Sequence, residues 1–327
     1  MTSICIFGAG AIGGYLGAKL AKTEAEISLV ARGPHLAAIR ENGLTLIENG
    51  QSTTHQMTAT DTPAELGAQD YVIVTLKAHS ISAVIDAMQP LLGPQTAVVF
   101  AVNGVPWWYF HGLDGEFADR RIEKVDPGGR LWAGIGPERA IGCVVYPASE
   151  IVRPGVVEHR SGNRFSLGEP DGTRSDRVTA LSKIMSAAGL KAPVRPRLRD
   201  EIWIKLWGNA SLNPISALTG ATLAQMIADP ATAPLVRAIM AELQTVGETL
   251  GAKFSVSVDK RMAGAAAVGE HRTSMLQDLD AGRPMEIDAL VAAVQELGTL
   301  ADCPTPTLDT VLSLVQAKAR LAGCYDG

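Results

Sequence analysis

The chain has few aromatics, few cysteines and no run of one charge. Phe, Trp and Tyr together make up 5% of 327 residues, against 33 glycines, so small residues have to close its strand–helix contacts. Cys5, Cys143, Cys303 and Cys324 are scattered, with no CxxC pair and no metal-ligand spacing. That argues against a disulfide framework or a zinc site, and for reduced thiols in a cytoplasmic protein. Net charge is −5, and no basic patch is interleaved with aromatics, which argues against nucleic acid as a partner. The apolar N-terminus lacks a positive flank and is soon interrupted by glycine. Neither a signal peptide nor a membrane span is therefore expected.

That interruption carries the first positive signal. Ser3-Ile4-Cys5-Ile6-Phe7 suits a buried parallel strand, and Tyr15 to Ala21 suits a helix. Gly8-Ala9-Gly10-Ala11-Ile12-Gly13 lies between them, in a strand–GxGxxG–helix context. Gly8 permits the tight turn, Gly10 lets a pyrophosphate approach, and Gly13 lets helix and strand pack closely. The helix N-terminus supplies N–H groups and a positive dipole end. A ligand-free glycine turn is the bland reading; the flanks favour dinucleotide binding. The next strand, Glu26 to Val30, leads to Arg32, with no acid where a ribose 2′-hydroxyl would want one. A guanidinium there suits a 2′-phosphate, hence NADP(H) over NAD(H), unless Arg32 is an ordinary surface residue.

Further strands are read at 71–76, ending at Lys77, and at 97–102, ending at Asn103. Strand ends are where open α/β sheets bind ligands, so both residues are candidates for the cofactor or substrate site. A small hairpin is expected over 44–57 and a helix over 80–88. Val-rich segments near 140–146 and 156–159 are read as antiparallel extensions of the sheet. His159, alone in its strand, is given no catalytic role. The cluster Trp107-Trp108-Tyr109-Phe110 is read as a loop anchor, with a pocket wall or lid as the alternative. Pro193-Val194-Arg195-Pro196 is a stiff connector. The predicted organisation is α/β: a Rossmann-like doubly wound sheet over 1–196, then an all-helical domain over 197–327.

In the helical half, segments are expected at 201–212, 223–227, 231–250, 258–280, 285–300 and 307–322. The first carries Lys205, Asn209 and Asn213 every fourth residue, one slowly drifting polar row on a helix otherwise apolar. Buried polar groups cost free energy unless paired, so the row reads either as a site or as a solvated edge with a snorkelling lysine. Ser274-Met275-Leu276-Gln277-Asp278 runs toward Glu286-Ile287-Asp288, whose acids would otherwise be ordinary first-turn residues.

Taken in order, GxGxxG, Lys77, Asn103, the Lys205–Asn209–Asn213–Pro214 helix and the Ser274…Glu286-Ile287-Asp288 segment resemble the ketopantoate reductase (2-dehydropantoate 2-reductase) family over nearly the whole chain. The resemblance implies NADPH-dependent reduction of a 2-oxo acid to a 2-hydroxy acid, a step of pantothenate biosynthesis. It implies Lys205 as the catalytic proton donor and Glu286 as the acid on the substrate's hydroxyl side. Asn209, Asn213 and Ser274 would hold the substrate, Asn103 and Lys77 the cofactor and substrate positions, and Arg32 the 2′-phosphate. The chemistry agrees: hydride attack leaves charge on oxygen, and a cation that gives a proton stabilises that transition state. Bringing both reactants together in a water-excluding cleft removes much of the entropic barrier.

The 105–135 stretch is longer than the family's core pattern, and an aromatic-walled mouth would suit a bulkier 2-oxo acid than ketopantoate. A related hydroxyacid dehydrogenase and a non-catalytic NADP(H)-binding regulator are the other readings. The expected partner is a small 2-oxo acid, with no nucleic acid, membrane or metal, and a homodimer is admitted as the assembly.

Overall fold

A computed structural model describes residues 1–326. The chain forms two compact units. One comprises Met1–Val102, Pro106–Arg121 and Gly128–Leu198; the other comprises Asn103–Val105, Ile122–Pro127 and the chain from Arg199 on.

The first unit opens with β1 (Ser3–Phe7), α1 (Ala11–Leu20), β2 (Glu26–Val30) and α2 (Gly33–Asn42). The hairpin β3 (Leu44–Glu48) and β4 (Gln51–His55) follows, turning at Asn49-Gly50, both with positive φ. Then come β5 (Thr58–Thr60), β6 (Gln69–Val74), α3 (Ile85–Met88) and β7 (Leu92–Phe100). After the aromatic segment lie α4 (Arg130–Ile135), β8 (Ala140–Val145), β9 (Ala148–Arg153), β10 (Val156–Ser161), β11 (Phe165–Gly168) and α5 (Asp176–Ala187).

Seven strands make the main sheet, in the order β11-β8-β7-β6-β1-β2-β5. All neighbours are parallel except the antiparallel pair β8–β11. Strands this buried, such as Ile4–Phe7 and Val72–Val74, need continuous apolar runs because both faces are covered. The chain leaves β1 toward β2 and returns to β6 on β1's other side. This places a topological switch point at the carboxyl ends of β1 and β6.

Three sequence expectations are corrected here. The 140–145 strand is parallel, not antiparallel, and only Phe165–Gly168 reverses. The 156–161 strand leaves the main sheet for a second one, ordered β4-β3-β10-β9, which packs on α1. Gly14 makes this approach possible, since a Cβ there would lie 2.7 Å from Val157. The stiff connector at 193–196 is docked on β11: Leu167 N–H donates to Pro193 C=O and Arg195 N–H to Leu167 C=O. The expected helix over 80–88 is mostly 3₁₀ turn, α-helical only in α3.

The second unit is helical: α6 (Leu198–Thr219), α7 (Leu223–Ala228), α8 (Thr232–Thr249), α9 (Val258–Ala267), α10 (Ser274–Asp280), α11 (Ala293–Leu300) and α12 (Pro306–Leu321). The single helix expected over 258–280 is broken in two. Gly269 takes a positive φ, and Thr273 caps the restart by accepting from Leu276 N–H. The helix over 285–300 begins as a π-turn, Asp288–Ala292. Pro214 lies inside α6 rather than ending it. A buried helix packed on all sides tolerates the missing N–H that would end an exposed one. Among the described residues no helix is long and apolar enough to cross a membrane.

Candidate active site

In the first unit the glycine loop closes on the sheet by backbone bonds. Gly8 and Ala9 N–H both donate to Val30 C=O, at 3.1 and 3.0 Å, and Gly10 N–H donates to Gly8 C=O at 2.7 Å. Gly8 has φ +106°, a conformation that disfavours any side chain. A Cβ on Gly13 would lie 2.2 Å from Gly8 C=O and 2.5 Å from Thr75 Oγ1. Thr75 Oγ1 itself donates to Gly8 C=O at 2.5 Å, a role the sequence reading missed. Its signal was a hydroxyl at the end of the strand beside β1.

Gly10, the N-cap of α1, has open space where a Cβ would stand. No side chain caps α1 and no acid sits in its first turn, so the Ala11, Ile12 and Gly13 N–H groups meet no competing anion of the protein. These features fit a diphosphate. Arg32 is exposed at the end of β2, two residues beyond the Val30 carbonyl that holds the loop, and makes no ion pair among the described residues. A 2′-phosphate fits that guanidinium. Lys77 follows Leu76, whose side chain packs on Gly8.

His35, in the first turn of α2, was also passed over. Its Nδ1 accepts from Gly155 N–H at 3.0 Å, and its buried Nε2 has no hydrogen-bond partner. Burial lowers its pKa, opposed by the Ala9 backbone.

In the second unit α6 is held by its tryptophans. Trp203 and Trp207 are 1% and 0% exposed and pack on Phe254, and Trp207 Nε1 donates to Met240 C=O at 2.6 Å. This fixes the polar row on the flank of the helix. Lys205 Nζ donates to Asn103 Oδ1 at 2.6 Å. Asn209 is half-buried, and Asn213 is 5% exposed. Neither carboxamide makes a hydrogen bond among the described residues. Two carboxamides on one flank of a helix, with no hydrogen bond to the protein, are available to a ligand.

Asn103 arrives at Lys205 because its own segment is tied down. Val105 N–H donates to Ala289 C=O at 2.9 Å, in the π-turn that begins just after Glu286. Single π-turns recur at functional sites, where they re-aim neighbouring side chains. On α11, the Glu296 carboxylate accepts from Glu123 and Lys124 N–H, both at 2.8 Å, fixing a second inserted segment. Lys205, Asn103 and the Glu286 segment are thus linked within one unit. Ser274 is not tied to them: it is exposed at the start of α10, with no hydrogen bond among the described residues.

The aromatic segment is an anchor. Trp107, Trp108, Tyr109 and Phe110 are 1–3% exposed; Trp107 packs edge-on with Phe100 and Trp132, Tyr109 edge-on with Phe110, and Phe110 stacks with Phe117. Side chains so enclosed do not wall an open mouth. Among the described residues no cluster of metal-ligating side chains occurs.

Two family models match. Residues 4–172 match "Ketopantoate reductase PanE/ApbA", and residues 197–319 match its C-terminal counterpart. A 2-dehydropantoate 2-reductase of Mesorhizobium japonicum is 59% identical over 323 residues, 98% of this chain and 99% of that one. A crystal structure from Ralstonia solanacearum MolK2, assigned to ketopantoate reductase, superimposes with a TM-score of 0.95 at 43% identity, covering 99% of both chains. A 2-dehydropantoate 2-reductase structure from Geobacter metallireducens GS-15 gives 0.84 at 26% identity, covering 96% of this chain and 99% of that one. With its glycine loop, its Lys205–Asn103 pair and these matches across nearly its whole length, the chain belongs to the ketopantoate reductase family.

Proposed function

We propose that this protein reduces 2-dehydropantoate (ketopantoate) to pantoate with NADPH, in the cytoplasm. Family membership supports an oxidoreductase with a nicotinamide cofactor acting on a small 2-oxo acid. The observation that carries the chemical reading is the Lys205 ammonium, held at 2.6 Å by Asn103 Oδ1, on the helix that also carries Asn209 and Asn213.

The nicotinamide supplies a hydride when bound; the protein's own residues do the rest. The loop amides of Ala11, Ile12 and Gly13 hold the diphosphate, and Arg32 the 2′-phosphate, with Lys77 alongside. Lys205 donates to the ketone oxygen and gives up a proton as the alkoxide forms, so its charge is most useful in the transition state. Asn103 accepts from Lys205 and thereby sets the direction of the ammonium. Asn209 and Asn213 orient the substrate without adding charge. Ser274 takes the carboxylate, and Glu286 accepts from the hydroxyl that is formed.

The test is turnover of ketopantoate with NADPH, set against NADH and against aryl and longer-chain 2-oxo acids. The reading expects a clear preference for ketopantoate and for NADPH. A preference for aryl 2-oxo acids would overturn the substrate, and equal use of both cofactors would overturn Arg32's role.

A further inference from the structure

Residues 323–325 fold back onto the segment that carries Glu286. α12 ends in a Schellman-type turn, with Gly323 at φ +66°, Gly323 N–H donating to Arg320 C=O and Cys324 N–H to Ala319 C=O at 2.8 Å. The turn reverses the chain and buries Cys324, which is 1% exposed. Two bonds then reach the Glu286 segment, one on each side of it. Met285 N–H donates to Cys324 C=O at 3.0 Å. Tyr325 O–H donates to Asp288 Oδ1 at 2.6 Å, and Gln316 Nε2, on α12, donates to the same phenol oxygen at 3.1 Å. Burial and the Asp288 carboxylate push the Tyr325 phenol up to about 12, so it stays a donor throughout the neutral range.

Asp288 is the first residue of the π-turn. Its carboxylate is therefore not merely a first-turn acid answering the helix dipole. It is where the C-terminal strap takes hold. Lys318, one helical turn before the reversal, donates to Leu218 C=O at 2.9 Å and so fixes α12 to the far end of α6. The same short stretch of chain thus touches both the helix bearing Lys205 and the segment bearing Glu286.

We propose that Tyr325 is a positioning residue: its bond to Asp288, with the Cys324–Met285 backbone bond, sets the place of Glu286 for the 2-oxo acid. The proposal rests on the assignment of Glu286 to the substrate, so its test has an arm that does not use activity. Tyr325→Phe removes one hydroxyl and little volume. Amide exchange over Met285–Ala289 should quicken in this variant while exchange in α8 does not change. The KM for the 2-oxo acid should rise about fivefold, the loss of one hydrogen bond's net contribution, with the KM for NADPH unmoved. Asp288→Leu should act alike, and the double variant should be no worse than the worse single one, since both remove the same bond. Unchanged exchange over 285–289 would overturn the proposal. So would additive effects of the two variants, or an equal rise in both KM values with a lowered melting point, which is what plain destabilisation gives. If the wild-type chain turns over no 2-oxo acid, the functional reading fails, and the exchange arm alone decides the strap.

Discussion

The two units build their sites from different materials. The first uses backbone: three glycines, a helix N-terminus and one threonine hydroxyl, all within a few residues of two neighbouring strand ends. The second uses side chains drawn from segments far apart in sequence: Asn103, the α6 row and the Glu286 turn, joined by Lys205–Asn103 and Val105–Ala289 bonds. A backbone site is specified by the absence of Cβ atoms and tolerates most changes nearby. A side-chain site is specified by the identity of each group and by the distant contacts that aim it. Damage to the first should abolish cofactor binding and stability together, while damage to the second should abolish chemistry and leave the fold.

The sharpest separation is Lys205→Ala. If Lys205 is the proton donor proposed above, its loss should lower kcat by about 10²–10⁴-fold, the usual range for a general acid, with NADPH affinity unchanged. Stopped-flow turnover beside cofactor titration reads both. Unchanged turnover would remove Lys205 from its role.

Gly13→Val is the opposite case. The new Cβ would meet Gly8 C=O at 2.2 Å, so loop or helix must move. A cost of about 1–3 kcal/mol in stability and at least a tenfold loss of NADPH affinity are expected together. Calorimetry and fluorescence titration check them. Normal affinity with lowered stability would show that the loop does not set the diphosphate site.

These two sites were unequally legible in the sequence. The glycine loop was, because each glycine's reason is local: a positive φ at Gly8, a close approach at Gly13. The polar row of α6 was visible as a pattern but ambiguous, since periodicity puts Lys205, Asn209 and Asn213 on one flank without saying whether that flank meets water. The structure answers it residue by residue: Lys205 and Asn209 are half-buried and Asn213 is 5% exposed. The π-turn, the break at Gly269 and Thr75 were not legible. Thr75 acts on a carbonyl remote in sequence, and a helical period of 3.6 cannot register one extra residue in a turn; the break at Gly269 has local causes, a positive φ and the Thr273 cap, that the apolar periodicity masked. The aromatic segment was read as an anchor with a pocket wall as the alternative, and its four side chains, 1–3% exposed, are those of an anchor.

Arg32→Ala tests the exposed edge of the backbone site. Arg32 has no protein partner to lose among the described residues, so stability should not change. The preference for NADPH over NADH should narrow by roughly tenfold or more, the scale of a charge-assisted contact. Equal preference in variant and wild type would contradict the 2′-phosphate assignment.

Asn213→Leu reverses the usual sign. Asn213 is 5% exposed and its amide makes no hydrogen bond among the described residues, so an apolar replacement gives up no protein contact. The variant should be as stable as wild type or up to about 1 kcal/mol more so, while its kcat/KM for the 2-oxo acid falls about tenfold. A loss of stability would mean that the amide is structurally paired, and its place among the substrate contacts would fall.

The smallest expected effect is a pH dependence confined to the first unit. Burial lowers the pKa of His35 below its ordinary value, while in the unfolded chain it titrates normally. Between the lowered value and about 6.5 the unfolded state therefore binds more protons than the folded one, and stability falls as pH falls through that window. Protonation would also remove the lone pair at Nδ1 that accepts from Gly155 N–H. His55, lowered by burial and by Lys22, adds in the same direction, so the wild-type slope belongs to both residues. His35→Gln, whose amide oxygen can still accept from Gly155 but does not titrate, isolates one share. Its melting point should fall less steeply than that of wild type from pH 7.5 to pH 5.5, with the two curves closest at the upper end. Parallel curves would mean that His35 does not couple folding to pH. A steeper curve for the variant would require the folded state to favour the charged imidazole, the reverse of what its burial implies.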